Sequence, residues 1–192
     1  MLSVVIATHD SERALLPTLA ALVAGAVAGI VREVIVADAG SRDATAAIAD
    51  GAGCRVLVSA ERRGARLKAA AAAARAPWLL FLHPGVVLDA TWVDETKRFI
   101  EETELRGCAD THAAVFRASA FRPALLEALV LLGTALGVKP DARHGLVIAK
   151  SRYAALGGHR DLDEPERDLQ RRLRRRHLVL LRTGAIAPGP DA

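Results

Sequence analysis

The chain has 192 residues, 52% of them hydrophobic and 25% charged, with a net charge of +4; this balance suits one globular domain with its own core and excludes a disordered or fibrous chain. Its two cysteines, Cys54 and Cys108, lack CxxC or histidine-rich spacing, which excludes a disulfide framework and a cysteine-based metal centre and fits a reducing, cytoplasmic setting. The positive charge gathers in RRLRRRH, residues 171 to 177, and in Arg62, Arg63, Arg66 and Lys68; anionic partners or solvated helix faces both account for it, and with aromatics at 4% and no RNA-binding or zinc-finger motif, nucleic acid is not the expected partner.

LSVVIA, residues 2 to 7, reads as a strand, because no basic region precedes the apolar run and no small-residue cleavage pattern follows it as in a signal peptide. Residues 12 to 28 have helical spacing, EVIVAD (33 to 38) is strand-like, and residues 43 to 52 form a second helix that Ser41 or Asp43 can cap. CRVLVS (54 to 59), an alanine-rich helix over 64 to 75 and WLLFLH (78 to 83) complete a βαβαβαβ order. Such alternation predicts an α/β fold whose mainly parallel sheet carries helices on both faces and binds ligands beyond the carboxyl ends of its strands. ALLEALVLLGTALGV (124 to 138) is shorter than the ~20 residues that span a bilayer and contains Glu127 and two glycines; it reads as a core helix or an interfacial one, the latter giving peripheral membrane contact. In EPERDLQRRL, Pro165 suits a first helical turn and places Glu166 and Asp168 near a helix start, where the dipole favours their ionised forms. LVLLR (178 to 182) is one more strand before the tail APGPDA.

The first four strand ends are THDSE (8 to 12), DAGSRDAT (38 to 45), SAERRGARLK (59 to 68) and HPG (83 to 85). Asp38 has two readings: a carboxylate that accepts hydrogen bonds from a nucleoside, or the anchor of a turn and helix cap. There is no GxGxxG after the first strand and no GxxxxGK[ST], so neither a dinucleotide fingerprint nor a P-loop is present.

SVVIATHDSERALLPTLAAL, EVIVADAGSRDAT and RRGARLKAAAAAARAPWLLFLHPGVVLD, in this order and spacing, resemble the nucleotide-binding half of GT-A glycosyltransferases of family 2, and especially a small bacterial subgroup named for arsenosugar biosynthesis. The likeness resumes at GLVIAKSRYAALGGHRDL (145 to 162) and RRLRRR. It implies a Rossmann-like GT-A domain over residues 1 to 192, with a nucleotide-binding half (1 to 103) and an acceptor-side half (104 to 192). It also implies a nucleotide-diphospho-sugar donor such as a UDP-sugar, an acceptor hydroxyl, inversion at the sugar, and a carboxylate base. By the same resemblance Thr8 and Asp38 contact base and ribose, His9 stands where an aromatic is common, and Arg62, Arg63 and Arg66 face the donor; the βαβαβαβ order predicts that Asp38 and His83 stand at neighbouring strand ends.

The sequence departs from the family where a metal is usually held. An Asp-x-Asp signature, commonly His-Ala-Asp in the subgroup, is replaced by His83-Pro84-Gly85. Hard cations such as Mg2+ or Mn2+ take oxygen ligands, so glycine at that position removes a principal one. Only the backbone carbonyl of Gly85 remains there, so no metal-binding side chain and no firm cofactor is expected, while Mg2+ or Mn2+ stays an open alternative. Glu166 falls on the Asp of the subgroup's Glu-Asp pair, with Pro165 before it and Asp168 on the next acidic position; both are candidate bases, or else partners of nearby arginines. Arg143-His144-Gly145 replaces Asp-Gln-Gly and Lys68 replaces an Asn. Either basic side chains, including Lys68 and Arg143, neutralise the diphosphate in place of a cation, or the protein keeps the fold as a catalytically silent nucleotide- or partner-binding module. A nucleic-acid binder using RRLRRR is the third alternative.

Overall fold

The computed structural model describes residues 1–118 and 142–186. Its first half follows the expected alternation: β1 (Leu2–Thr8), α1 (Glu12–Val27), β2 (Val31–Asp38), α2 (Thr45–Gly51), β3 (Arg55–Val58), α3 (Arg63–Ala73) and β4 (Trp78–Leu82). β5 (Val87–Leu88), α4 (Trp92–Leu105) and β6 (Ala113–Ala118) follow, and after a 3-10 turn at Ala142–His144 come β7 (Leu146–Ala149), α5 (Lys150–Ala155), α6 (Pro165–Arg172) and β8 (Leu178–Ile186). The apolar run 124 to 138 and the tail 187 to 192 lie outside the described residues. Among the described residues no helix is long and apolar enough to cross a membrane.

One eight-stranded sheet runs β3-β2-β1-β4-β7-β6-β8-β5. Strands β3, β2, β1 and β4 are mutually parallel, as are β6 and β8, whereas β7 is antiparallel to both its neighbours and β5 to β8. The sheet is thus mainly parallel, as its sequence pattern predicts. β1 and β4 are buried along their whole lengths, which is why they read as continuous apolar runs. Along β1, Val4 and Ile6 join one core layer while Val5 and Ala7 join the other. The first layer is filled from α1 and α4 by Leu15, Leu22, Trp92 and Phe99. On the opposite face α3 contributes Leu67, Ala70 and Ala71, and Leu169 of α6 lies in the same layer.

The chain proceeds outward from β1 to β2 to β3 and then returns to place β4 on the other side of β1. α1 and α4 cover one face and α3 the other, so the loops that lead into α1 and α3 diverge to opposite faces, and a crevice opens above the carboxyl ends of β1 and β4. Asp38 ends β2 and His83 follows β4, so β1 stands between them; they share the sheet end but not adjacent strands.

Candidate functional site

That crevice is a cleft of about 880 Å³ bordered by Thr8, His9, Asp10, Arg63, His83 and Gly85, among others. Two loops that meet at its rim are tied by reciprocal hydrogen bonds. Asp10 Oδ1 accepts from the Arg42 amide at 2.7 Å, while the Asp10 amide donates to Ser41 Oγ at 2.9 Å. Asp43 Oδ2 accepts from the Glu12 amide at 3.0 Å and its Oδ1 from the Thr45 amide at 3.0 Å, so one carboxylate satisfies the first amide of both α1 and α2. Asp43 is read from sequence only as a cap of the second helix; its bond to Glu12 needed the third dimension.

Asp38 lies just below the cleft rather than on its wall. It is 1% exposed, and its two oxygens accept four hydrogen bonds: Oδ1 from Thr8 Oγ1 at 2.7 Å and Ser41 Oγ at 2.5 Å, Oδ2 from the amides of Gly40 at 2.9 Å and Ser41 at 2.7 Å. Burial by itself would raise its pKa, but the Ser41, Thr8 and Gly40 donors prevail and hold the carboxyl below its ordinary range. In this arrangement Asp38 fixes the position of Thr8 and of the turn at residues 39 to 41.

The arginines divide. Arg66, buried to 8% exposure, donates through Nη1 to the carbonyls of Thr8 at 2.8 Å and Ala37 at 2.6 Å and through Nε to Glu61 at 3.1 Å, clamping the ends of β1 and β2. Arg62 turns outward to Asp163 at 2.6 Å and Asp161 at 3.5 Å. Lys68 and Arg143 are exposed and do not border the cleft. Arg63 borders the cleft and reaches inward, its Nε 2.7 Å from Glu166 Oε1 and its Nη2 2.9 Å from His83 Nδ1. Guanidinium has only donors, so the His83 nitrogen that takes its hydrogen bond accepts; Nε2 stands 3.3 Å from the same Nη2 and 3.4 Å from Glu166 Oε1. Gly64 makes the approach feasible: a Cβ there would stand 2.0 Å from the Arg160 carbonyl oxygen, so only glycine lets the start of α3 lie against the segment that leads to Glu166.

The two candidate bases are separated by their surroundings. Asp168 Oδ2 accepts from Arg172 Nε at 2.9 Å and Nη2 at 2.7 Å, one turn along α6. Glu166 instead points to the group behind the cleft wall. Burial would raise its pKa, yet Arg63 and then His83 hold it below the ordinary carboxylate range.

Residues 83 to 85 bring no side-chain carboxylate to the cleft. His83 faces the positive charge of Arg63, Pro84 carries no ligand atom in its side chain, and Gly85 uses its amide on Ala14 O at 2.8 Å and Thr18 Oγ1 at 2.9 Å. Among the described residues no three His, Cys, Asp or Glu side chains converge to hold a metal.

Tyr153 and His159, absent from the sequence reading, pack directly behind this group. Tyr153 Oη lies 2.9 Å from His159 Nδ1, and His159 stands edge-on to Phe81 at 4.7 Å between ring centres. Nothing local in GGHR distinguishes a buried histidine from an exposed one.

The sequence pattern described as Glycosyl transferase family 2 matches residues 3–144. No curated protein matches the chain. Among solved structures, S. aureus TarS 1-349 aligns with a TM-score of 0.71 at 14% identity, over 99% of this chain and 61% of that one; the same protein in complex with UDP-GlcNAc gives 0.70 at 14%, over 98% and 59%. Glucosyl-3-phosphoglycerate synthase from Mycobacterium tuberculosis, in complex with phosphoglyceric acid, aligns with a TM-score of 0.66 at 19% identity, over 100% of this chain and 74% of that one. The chain thus spans about three fifths of the length of the TarS structures, and at these identities the likeness is one of fold.

Proposed function

Because the chain belongs to glycosyl transferase family 2, we propose that its cleft binds a nucleotide-diphospho-sugar such as a UDP-sugar and transfers the sugar to an acceptor hydroxyl without a strongly held metal. The observation that carries this reading is Arg63, which borders the cleft beside His83 while bonded to the half-buried carboxylate of Glu166. Complexes of TarS with UDP-GlcNAc and UDP support the choice of donor.

In the proposed reaction the acceptor oxygen attacks the anomeric carbon from the side opposite the diphosphate, with inversion. A new carbon–oxygen bond forms as the bond to the diphosphate breaks and the electron pair leaves with the nucleoside diphosphate; the acceptor proton passes to Glu166, which would open to the cleft when Arg63 turns from it to the diphosphate. Arg63 neutralises the charge that grows on the leaving group, a role that preorganised cations fill when no metal does. Its move to phosphate would also take away the ion pair that depresses the Glu166 pKa, making that carboxylate a stronger base when donor is in place. Thr8 and His9 line the same cleft and would meet the nucleoside, with Asp38 holding Thr8 in position.

A silent nucleotide-binding module is the second reading, favoured by the ion pairs that occupy both candidate bases. Calorimetry with UDP and UDP-sugars, in Mn2+ and in EDTA, tests both. The proposal expects binding whose affinity changes by no more than about threefold between the two, under 1 kcal/mol, with transfer detectable in EDTA. Binding without turnover for any acceptor would leave the module, and transfer abolished by EDTA would refute metal independence.

A further inference from the structure

Two glycines in left-handed conformation, Gly157 at φ 79° and Gly158 at φ 69°, turn the chain sharply after α5 and carry His159 beneath β4. The ring is 2% exposed and packs on Phe81 and Tyr153. Its backbone amide donates to Tyr153 Oη at 3.0 Å, and the same oxygen lies 2.9 Å from Nδ1. The buried hydroxyl has one proton to place, and Nδ1 is the acceptor within reach; Tyr153 donates to Nδ1, and the ring proton sits on Nε2. Burial pushes the Tyr153 pKa up to about 12 and the His159 pKa down to about 4, so phenol and imidazole both stay neutral around pH 7. His159 Nε2 then has a proton and no hydrogen-bond partner among the described residues.

That ring borders a small cavity of about 10 Å³, shared with Glu166, His83, Phe81, Leu67 and Leu146. This is the least space that admits a water molecule, and a buried donor opposite a carboxylate is the setting in which one is held. We propose that His159 is a positioning residue for Glu166: its Nε2 proton, relayed through one water in this cavity, orients the carboxylate and keeps it ionised when Arg63 turns to the donor's diphosphate. The inference rests on Glu166 as the proton acceptor of the proposed reaction. The other charged or titratable groups facing the pair are Arg63 from α3, His83 after β4, and Arg172 from α6.

The test reads Glu166 itself, by carboxyl-13C NMR of glutamate-labelled protein with Glu166→Gln to assign the signal. His159→Phe removes the donor and should move the Glu166 titration upward by about one pH unit, while His159→Gln, which restores an amide donor near Nε2, should return it most of the way. A folded His159→Phe with an unchanged midpoint, or a Gln variant shifted as far as Phe, would overturn the proposal. Should the variants unfold, 15N NMR of the unmodified protein decides: the Nε2–H tautomer near pH 7 supports it and the Nδ1–H tautomer refutes it. These readouts need no turnover, so a chain that transfers no sugar would sink the enzymatic reading while the His159–Glu166 coupling is judged separately.

Discussion

Arg63 Nε stands 2.7 Å from Glu166 Oε1, joining the first residue of α3 to the second residue of α6 across 103 positions of sequence. The pair closes the space behind the cleft, and only the arginine borders the cleft itself.

Replacing Arg63 should therefore act on both sides of that wall. Arg63→Ala should weaken UDP binding about tenfold or more, the loss of a charge-assisted contact of roughly 1.5–3 kcal/mol. It also leaves Glu166 without its cation, but the pair is partly open to solvent, so a destabilisation of only about 1–2 kcal/mol is expected. Calorimetry and urea unfolding of the same sample separate these effects, and unaltered UDP affinity would count against a diphosphate at Arg63.

The two carboxylates of α6 should behave differently. Glu166→Gln should lower kcat by at least about a hundredfold with little change in UDP affinity. Asp168→Asn gives up the Arg172 pair and should reduce stability while sparing kcat within a few fold. An Asp168 variant that loses turnover while Glu166→Gln retains it would reverse the assignment.

Acid stability should depend on Asp38. Its folded pKa lies below the ordinary 3.8, so its stabilisation is complete above about that pH and is lost as pH falls through the lower folded value. Asp38→Ala strands two hydroxyls and two amides, at a cost of about 3 kcal/mol near pH 7, and the difference from the unmodified protein should shrink towards pH 2. Urea midpoints measured from pH 7 to 2 check this; a difference independent of pH would mean the charge is irrelevant.

Adding a carboxylate beside His83 should be costly in itself. Gly85 has φ 88°, a conformation strained for L-residues, so Gly85→Asp should lose about 1–2 kcal/mol of stability. If the missing oxygen ligand is what frees the site from metal, this variant should also bind UDP more tightly in Mn2+ than in EDTA. Equal affinity in both would show that one carboxylate does not rebuild the metal site.

The order of the first seven elements, their burial and the crevice above the strand ends are readable from the chain because they rest on local periodicity and on parallel strands needing helical crossovers. β1 and β4 announce themselves as unbroken apolar runs since both faces are covered. α4 is harder to read from the sequence, although Trp92, Thr96, Phe99, Ile100 and Thr103 fall on one buried face, because two of the five are polar. The short strands β5, β6 and β7 are not legible in the sequence either, since their pairing joins residues far apart in the chain. The residue types of the candidate site were equally legible, but not their division of labour. Arg62, Arg63 and Arg66 are near neighbours in sequence, yet Arg62, before the helix, turns to an exposed acidic loop, Arg63 pairs with Glu166 at the cleft wall, and Arg66, which also borders the cleft, is tied to the strand-end carbonyls. Glu166 and Asp168 differ likewise: two residues along a helix is about 200° of rotation, which turns one carboxylate to Arg63 and the other to Arg172. Which charge meets which partner depends on the packing of α3 against the segment around Arg160 and of α6 behind β4, and these contacts exist only once the chain has closed on itself.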